Sequence, residues 1–125
     1  MAIHNDFGKW GEDMAAAYLQ DKGYSIIERD WRFGHRDVDI IAVTGDTIVF
    51  VEVKSRRDDT LRSAIEEVDL KKQRSVCIVA DMYIKMKHVD LYPRFDVIGV
   101  TGDGRRGYKI EHLENAFTVR PRCRR

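Results

Sequence analysis

Apolar residues recur along this chain with two different periods, and the switches between them mark out the elements. In "KWGEDMAAAYLQDKG", Trp10, Met14, Ala17 and Tyr18 share one face at helical spacing, and Gly23 follows as a C-terminal cap. "YSIIERDWRF" shortens the period to that of a strand, with Ile27 and Trp31 among its inward positions. Two further strands are expected over Val38–Val43 and Thr47–Lys54. The Gly45-Asp46 pair between Thr44 and Thr47 is a two-residue hairpin signal. A loop through "SRRDDTLRSAIEEV" leads to a second helix from Asp69 to Lys87, whose stripe carries Leu70, Gln73, Cys77, Ala80, Tyr83 and Ile84. "RFDVIGVTG" reads as a buried strand, "RGYKIEHL" as the last one, and "ENAF" as the start of a short helix. The order α-β-β-β-α-β-β predicts an α/β domain, a central sheet with helices on both faces.

Three charges break this pattern. Asp39, Glu52 and Lys54 stand inside apolar runs. With Gly45 and Asp46 as the loop, Thr44 pairs with Thr47 and every opposed pair sums to 91, so Asp39 is expected directly opposite Glu52. Opposed residues share a sheet face with Cβ atoms roughly 4.5–5.5 Å apart, and Lys54, two residues past Glu52, projects to the same side. Two carboxylates so close repel, and a divalent cation removes the penalty. Mg²⁺ favours one or two carboxylates plus waters and phosphate oxygens, and Lys54 would hold a phosphate oxygen or orient the attacking water. That outlines a phosphodiester hydrolysis site. A surface hairpin with a plain ion-pair network would carry the same residues. Against it, Ile40, Ile41, Val49, Phe50, Val51 and Val53 are apolar at both parities, as in a sheet covered on both faces.

Composition adds bounds rather than direction. The chain has 125 residues, 43% hydrophobic and 34% charged, which fits one globular domain. A core of this size needs neither disulfide nor structural metal. Net charge is +1, so bulk electrostatics name no partner. Local clusters do more: Arg56-Arg57, Lys71-Lys72 with Arg74, Arg105-Arg106, and "RPRCRR" at the C-terminus are basic enough to meet phosphates, or to serve as solvated surface. Cys77 and Cys123 lack CxxC spacing, which fits reduced thiols in a cytoplasm. "MAIHNDFGKWGED" has no signal-peptide pattern and no apolar run nears 18 residues, so no membrane role is expected. His4, His35, His88 and His112 show no ligand spacing. Trp10, Trp31 and Phe33 suit base stacking, but core packing is the commoner use of such residues.

An acid on one strand followed by Glu-x-Lys on the next resembles the PD-(D/E)xK nuclease superfamily. "GEDMAAAYLQDKGYSIIERDWR", "VDIIAVTGDTIVFVEVKSR", "KKQR", "RFDVIGV" and "IEHLENAF" resemble, in order and spacing, the YraN-like family of small bacterial proteins. The resemblance spans nearly the whole chain and implies a restriction-endonuclease-like mixed central sheet. The expected domain is 1–119, with 120–125 a basic tail. Through the superfamily, and archaeal Holliday junction resolvases in particular, it implies Asp39, Glu52 and the Val53 carbonyl as ligands of Mg²⁺ or Mn²⁺. Lys54 would serve the water or the phosphate, and Glu12 would complete the acidic cluster unless it is only a first-turn acid favoured by the helix dipole. Gln73 would be a supporting polar residue, or the edge of an apolar stripe. Relatives read Gly-Glu-Ile-Asp where this chain has Arg36-Asp37-Val38-Asp39, so Asp37 becomes an extra candidate acid. Arg36, Arg56, Arg57, Lys72 and Arg74 are the expected nucleic-acid contacts. The implied activity is metal-dependent cleavage of DNA, branched or otherwise structured, with RNA not distinguished by sequence. The alternative is a binding module on the same fold with little chemistry. A homodimer would suit a resolvase, although no dimer surface is legible.

Overall fold

The structure is a computed structural model that describes residues 3–57, 64–102, 105 and 107–118, with side chains from Phe7 onward. The basic tail 120–125 lies outside the described residues. The chain runs α1 (Ile3–Asp21), β1 (Ser25–Phe33), β2 (Arg36–Thr44), β3 (Thr47–Arg56), a 3₁₀ turn (Ala64–Glu67), α2 (Leu70–Lys87), β4 (Tyr92–Gly102) and β5 (Tyr108–Phe117). The five strands form one sheet in sequential order. Its pairings are antiparallel except β3 with β4, which run parallel over ten residue pairs because the 3₁₀ turn and α2 carry the chain back across. This is the mixed α/β arrangement that the order of elements predicts.

Both faces are covered. On one, α1 lays Ala15, Ala16 and Leu19 over Ile40, Ala42, Val49, Val51, Ile98 and Val100. On the other, Val76, Cys77, Val79, Ala80 and Tyr83 of α2 pack with Val38, Ile41, Ile48, Phe50, Phe95 and Val97. A fully buried side chain such as Phe50 stabilises the fold by about 1.5–3 kcal/mol relative to exposure. Small residues let α1 approach closely. An added Cβ at Gly11 would lie 1.8 Å from Ser55 Oγ, so only glycine fits where the helix crosses β3. Helix α2 starts where Asp69 accepts the Lys72 N–H at 2.8 Å and ends at His88, in the left-handed region at φ 53°.

Several sequence expectations shift. The buried side of α1 is Ala15, Ala16 and Leu19, while Ala17 is exposed and Trp10, Met14 and Tyr18 border the core. Ile27 is 43% exposed because it is the extra residue of a bulge: Ile26 pairs with Ala42 and Glu28 with Ile41, leaving Ile27 opposite nothing. Leu70, the first residue of α2, is 60% exposed. "ENAF" is not helical but continues β5 to Phe117, which pairs with Phe95. That extension depends on a second irregularity, between the Phe95↔Phe117 and Val97↔Leu113 pairs. There the buried Asp96 carboxylate accepts the Asn115 N–H at 2.9 Å, together with Arg94 and, at 2.8 Å, the His112 Nε2. A side chain thus takes over the ladder bonds that the bulge removes.

Candidate metal and active site

The Gly45-Asp46 hairpin has the expected register. Gly45 takes the positive φ, 58°, that the first central position of a primed turn needs. Pairs summing to 91 run from Thr44↔Thr47 to Ile40↔Val51. There the ladder stops, one pair short of Asp39 and Glu52. The Asp39 carboxylate instead accepts the Val53 N–H at 2.8 Å. On its other side the β1–β2 register passes from Arg29↔Ile40 to Trp31↔Val38, leaving Asp30 and Asp39 unpaired between them, with Asp30 at φ 50°. Val38 and Ile41 pack toward α2 and Ile40 toward α1, so the alternation of β2 slips at Asp39. Direct cross-strand opposition of Asp39 and Glu52 therefore gives way to a kinked strand whose acid is held by a neighbouring backbone.

The kink puts Asp39 between two sets of acids. Toward α1, carboxylate oxygens of Asp39, Glu12 and Asp30 all lie within 4.8 Å of one another. Glu12 follows Gly11, so the close helix–strand crossing is what delivers it. Arg29 grips Glu12 at 2.9 and 3.2 Å and Asp13 at 2.6 Å. Burial, with the nearby Asp30 and Asp39 adding to it against the Arg29 bond, pushes the Glu12 carboxyl up to about 7. Toward α2 lies Glu52, on the parity of Phe50. It is 2% exposed, and among the described residues its Oε1 has no hydrogen-bond partner. Burial first and the Asp39 charge second push Glu52 up to about 8, against the opposing fields of Lys72 and Lys54. Asp39 is itself raised by burial, partly offset by the Val53 N–H.

The basic and polar candidates divide. Lys72 lies not on an outer surface but among the acids, 3.2 Å from Asp37 Oδ1 and 3.6 Å from Glu52 Oε2. Asp37 also faces Arg32 at 4.0 Å. Arg56, its side chain 12% exposed, reaches Glu67 at 3.2 Å and Glu111 at 3.8 Å. Arg57 stacks its guanidinium over Phe7, 4.2 Å from the ring centroid. Arg36 is half-buried beside the β1–β2 turn and Arg74 is exposed on α2. Gln73 donates from Nε2 to the Val68 carbonyl at 3.0 Å, which closes the 3₁₀ turn onto α2 rather than reaching the acids. The residue that sequence reasoning passed over is Asp30. Its signal was an acid in mid-strand between the inward Trp31 and the arginine that holds Glu12.

The donor set is hard oxygen throughout, with Glu52 buried and the Glu12, Asp39 and Glu52 carboxyls raised by burial, and a hard divalent cation suits such donors. The sheet, helices and acid cluster define a restriction-endonuclease-like α/β domain. The description "Uncharacterised protein family UPF0102" matches residues 11–100. Proteins of that description in Phocaeicola vulgatus, Porphyromonas gingivalis and Chlorobium chlorochromatii are 43%, 44% and 40% identical over 117, 121 and 119 residues, covering 94%, 95% and 91% of this chain and 96%, 89% and 92% of theirs. The chain belongs to the UPF0102 family, the YraN-like family that the sequence resembles. Among solved structures, Pyrococcus furiosus SfsA in complex with Ca²⁺ overlaps 89% of this chain at a TM-score of 0.38 and 16% identity. The chain spans 63% of that protein's length, and so loose a likeness carries no argument here. Among the described residues no helix is long and apolar enough to cross a membrane.

Proposed function

We propose that the protein is a metal-dependent nuclease that hydrolyses phosphodiester bonds in DNA, with branched or structured DNA as its substrate class. The observation that supports this most is the buried Glu52 Oε1 beside Asp39, without a hydrogen-bond partner among the described residues, where burial pushes the carboxyls of Glu12, Asp39 and Glu52 toward protonation. A fold gains nothing from such a group unless a cation satisfies it. Asp39 and Glu52 would hold Mg²⁺ or Mn²⁺, with Glu12 and Asp30 on the α1 side and the Val53 carbonyl next to the N–H that already fixes Asp39. When bound, the ion would polarise the phosphate and favour ionisation of a nearby water. Lys54, two residues beyond Glu52 on the same strand, would position the phosphate or the attacking water. Arg36, Arg57 and Arg74 would follow the nucleic-acid backbone. Arg56 and Lys72 are engaged by acids of the protein itself.

That engagement favours a second reading, a binding module whose acids are already neutralised internally by Arg29 and Lys72. Incubation with Mn²⁺ and a panel of linear, flapped, four-way and single-stranded DNAs plus RNA separates the two. Cutting that disappears in Lys54→Ala and Asp39→Asn is the expected result. Binding across the panel without any cutting would establish the module instead.

A further inference from the structure

Lys72 is electrostatically misplaced by local rules. It stands in the first turn of α2, where the helix dipole disfavours cations, and that turn contains no acid to compensate. Lys71 and Arg74 adjoin it. Yet the Lys72 backbone N–H is fixed by Asp69 and its ammonium is drawn inward, donating to Asp37 at 3.2 Å and facing Glu52 at 3.6 Å. Its side chain is about two-thirds buried, at 32% exposed, and its charge also acts on Asp39. The geometry points to Lys72 as the resident counter-ion of the acid cluster: its ammonium stands in for a divalent cation and must yield when one binds. This rests on the nuclease reading for the identity of the incoming ion, and gives Lys72 a role different from the phosphate contact that its sequence suggests.

Asp37 and Glu52 flank one volume that the Lys72 ammonium already fills, at ion-pair distance from both, and Asp39 lies within its electrostatic reach. A second cation entering the same volume is repelled by the ammonium and competes for the same oxygens. Lys72 thus sets the metal affinity of the site and keeps the acids assembled without metal. Lys54 cannot substitute for it, since it comes from β3 itself, whereas Lys72 ties α2 to Asp37 near the start of β2 and to Glu52 within β3. Arg29 plays no part in this exchange, because it is bound to Glu12 and Asp13 on the α1 side.

The test is Mn²⁺ affinity by calorimetry for the full chain, beside Lys72→Met and Lys72→Arg. Lys72→Met should bind Mn²⁺ about tenfold more tightly, since a competing charge is gone. Its melting temperature should be lower without metal and rise further on adding Mn²⁺. Lys72→Arg should resemble the wild type. An unchanged or weaker affinity in a folded Lys72→Met overturns the proposal while leaving the nuclease reading intact; no Mn²⁺ heat in any of the three proteins overturns both. The wild type supplies an independent readout. Acetylation of Lys72, followed by mass spectrometry with Lys71 as internal reference, should rise several-fold when Mn²⁺ frees the amine from its carboxylates. A constant Lys72-to-Lys71 ratio would equally overturn the exchange.

Discussion

Replacing Glu52 by Gln should stabilise the metal-free protein, and the size of the gain follows from the site. Glu52 is 2% exposed, and its carboxyl is raised from 4.5 to about 8. A folded-state pKa above the unfolded value means the native state binds the proton more tightly. The acid therefore costs nothing below about pH 4.5. Its penalty grows as pH rises through the interval and levels off above about pH 8. At pH 7 the two values correspond to roughly 3 kcal/mol, since each unit is about 1.36 kcal/mol. Glu52→Gln keeps the shape and removes the titration, though Lys72 then retains only Asp37 at hydrogen-bond distance. The net gain should be roughly 2–3 kcal/mol, seen as a urea midpoint higher by about 1–2 M. Urea titrations in EDTA at pH 5, 6, 7 and 8 would show the wild type losing stability across the series and Glu52→Gln staying nearly level. Mn²⁺ should restore the wild type and leave the variant unmoved. Equal midpoints at pH 8, with the same slope in both proteins, would refute the reasoning that this carboxylate is buried at a loss.

Other perturbations probe the surroundings. Gly11→Ala should destabilise by about 1–3 kcal/mol in spite of alanine's better helix propensity, because the new methyl collides with Ser55, and Ser55→Gly in the same chain should recover most of it. Thermal melts of the two single variants and the double variant measure this directly. Asp96→Asn should cost about 3–5 kcal/mol in chemical denaturation, since Arg94 and His112 lose the buried anion they share. Burial alone would raise Asp96, but its bonds to His112, Arg94 and the Asn115 N–H hold it below the usual range. Its contribution is therefore present above about pH 4 and fades only as pH falls below that. His88→Gly should stabilise by roughly 0.5–1 kcal/mol, measurable by melting temperature, because the left-handed cap strains any residue with a Cβ.

The sequence made the hairpin legible because a Gly-Asp turn fixes register, and register fixes which residues neighbour each other. It did not reveal that the ladder ends one pair early. Alternation assumes every backbone group pairs with a backbone group, and here the Asp39 carboxylate takes the Val53 N–H. Asp30 was hidden for the same reason: a left-handed residue within a strand has no signature in hydrophobic period. Lys72 read as surface because its helix stripe says nothing of what lies beyond the helix's end. Asp96 was readable in principle. A lone acid in "RFDVIGV" with Arg94 two residues earlier, on the same face, implies a buried pair, and its demand for donors explains why "ENAF" stays in the sheet.

The two irregular strands are also the outermost ones. β1 and β5 border the sheet, and each carries a register shift and a left-handed residue, Asp30 on one and Asn115 on the other. A sixth strand arriving at either flank would meet a broken row of amides and carbonyls studded with Glu28, Arg29, Lys109 and Glu111. The same kinks that bring acids and a histidine inward thus deny the sheet a template for growth, which guards a small two-flanked molecule against stacking into fibrils.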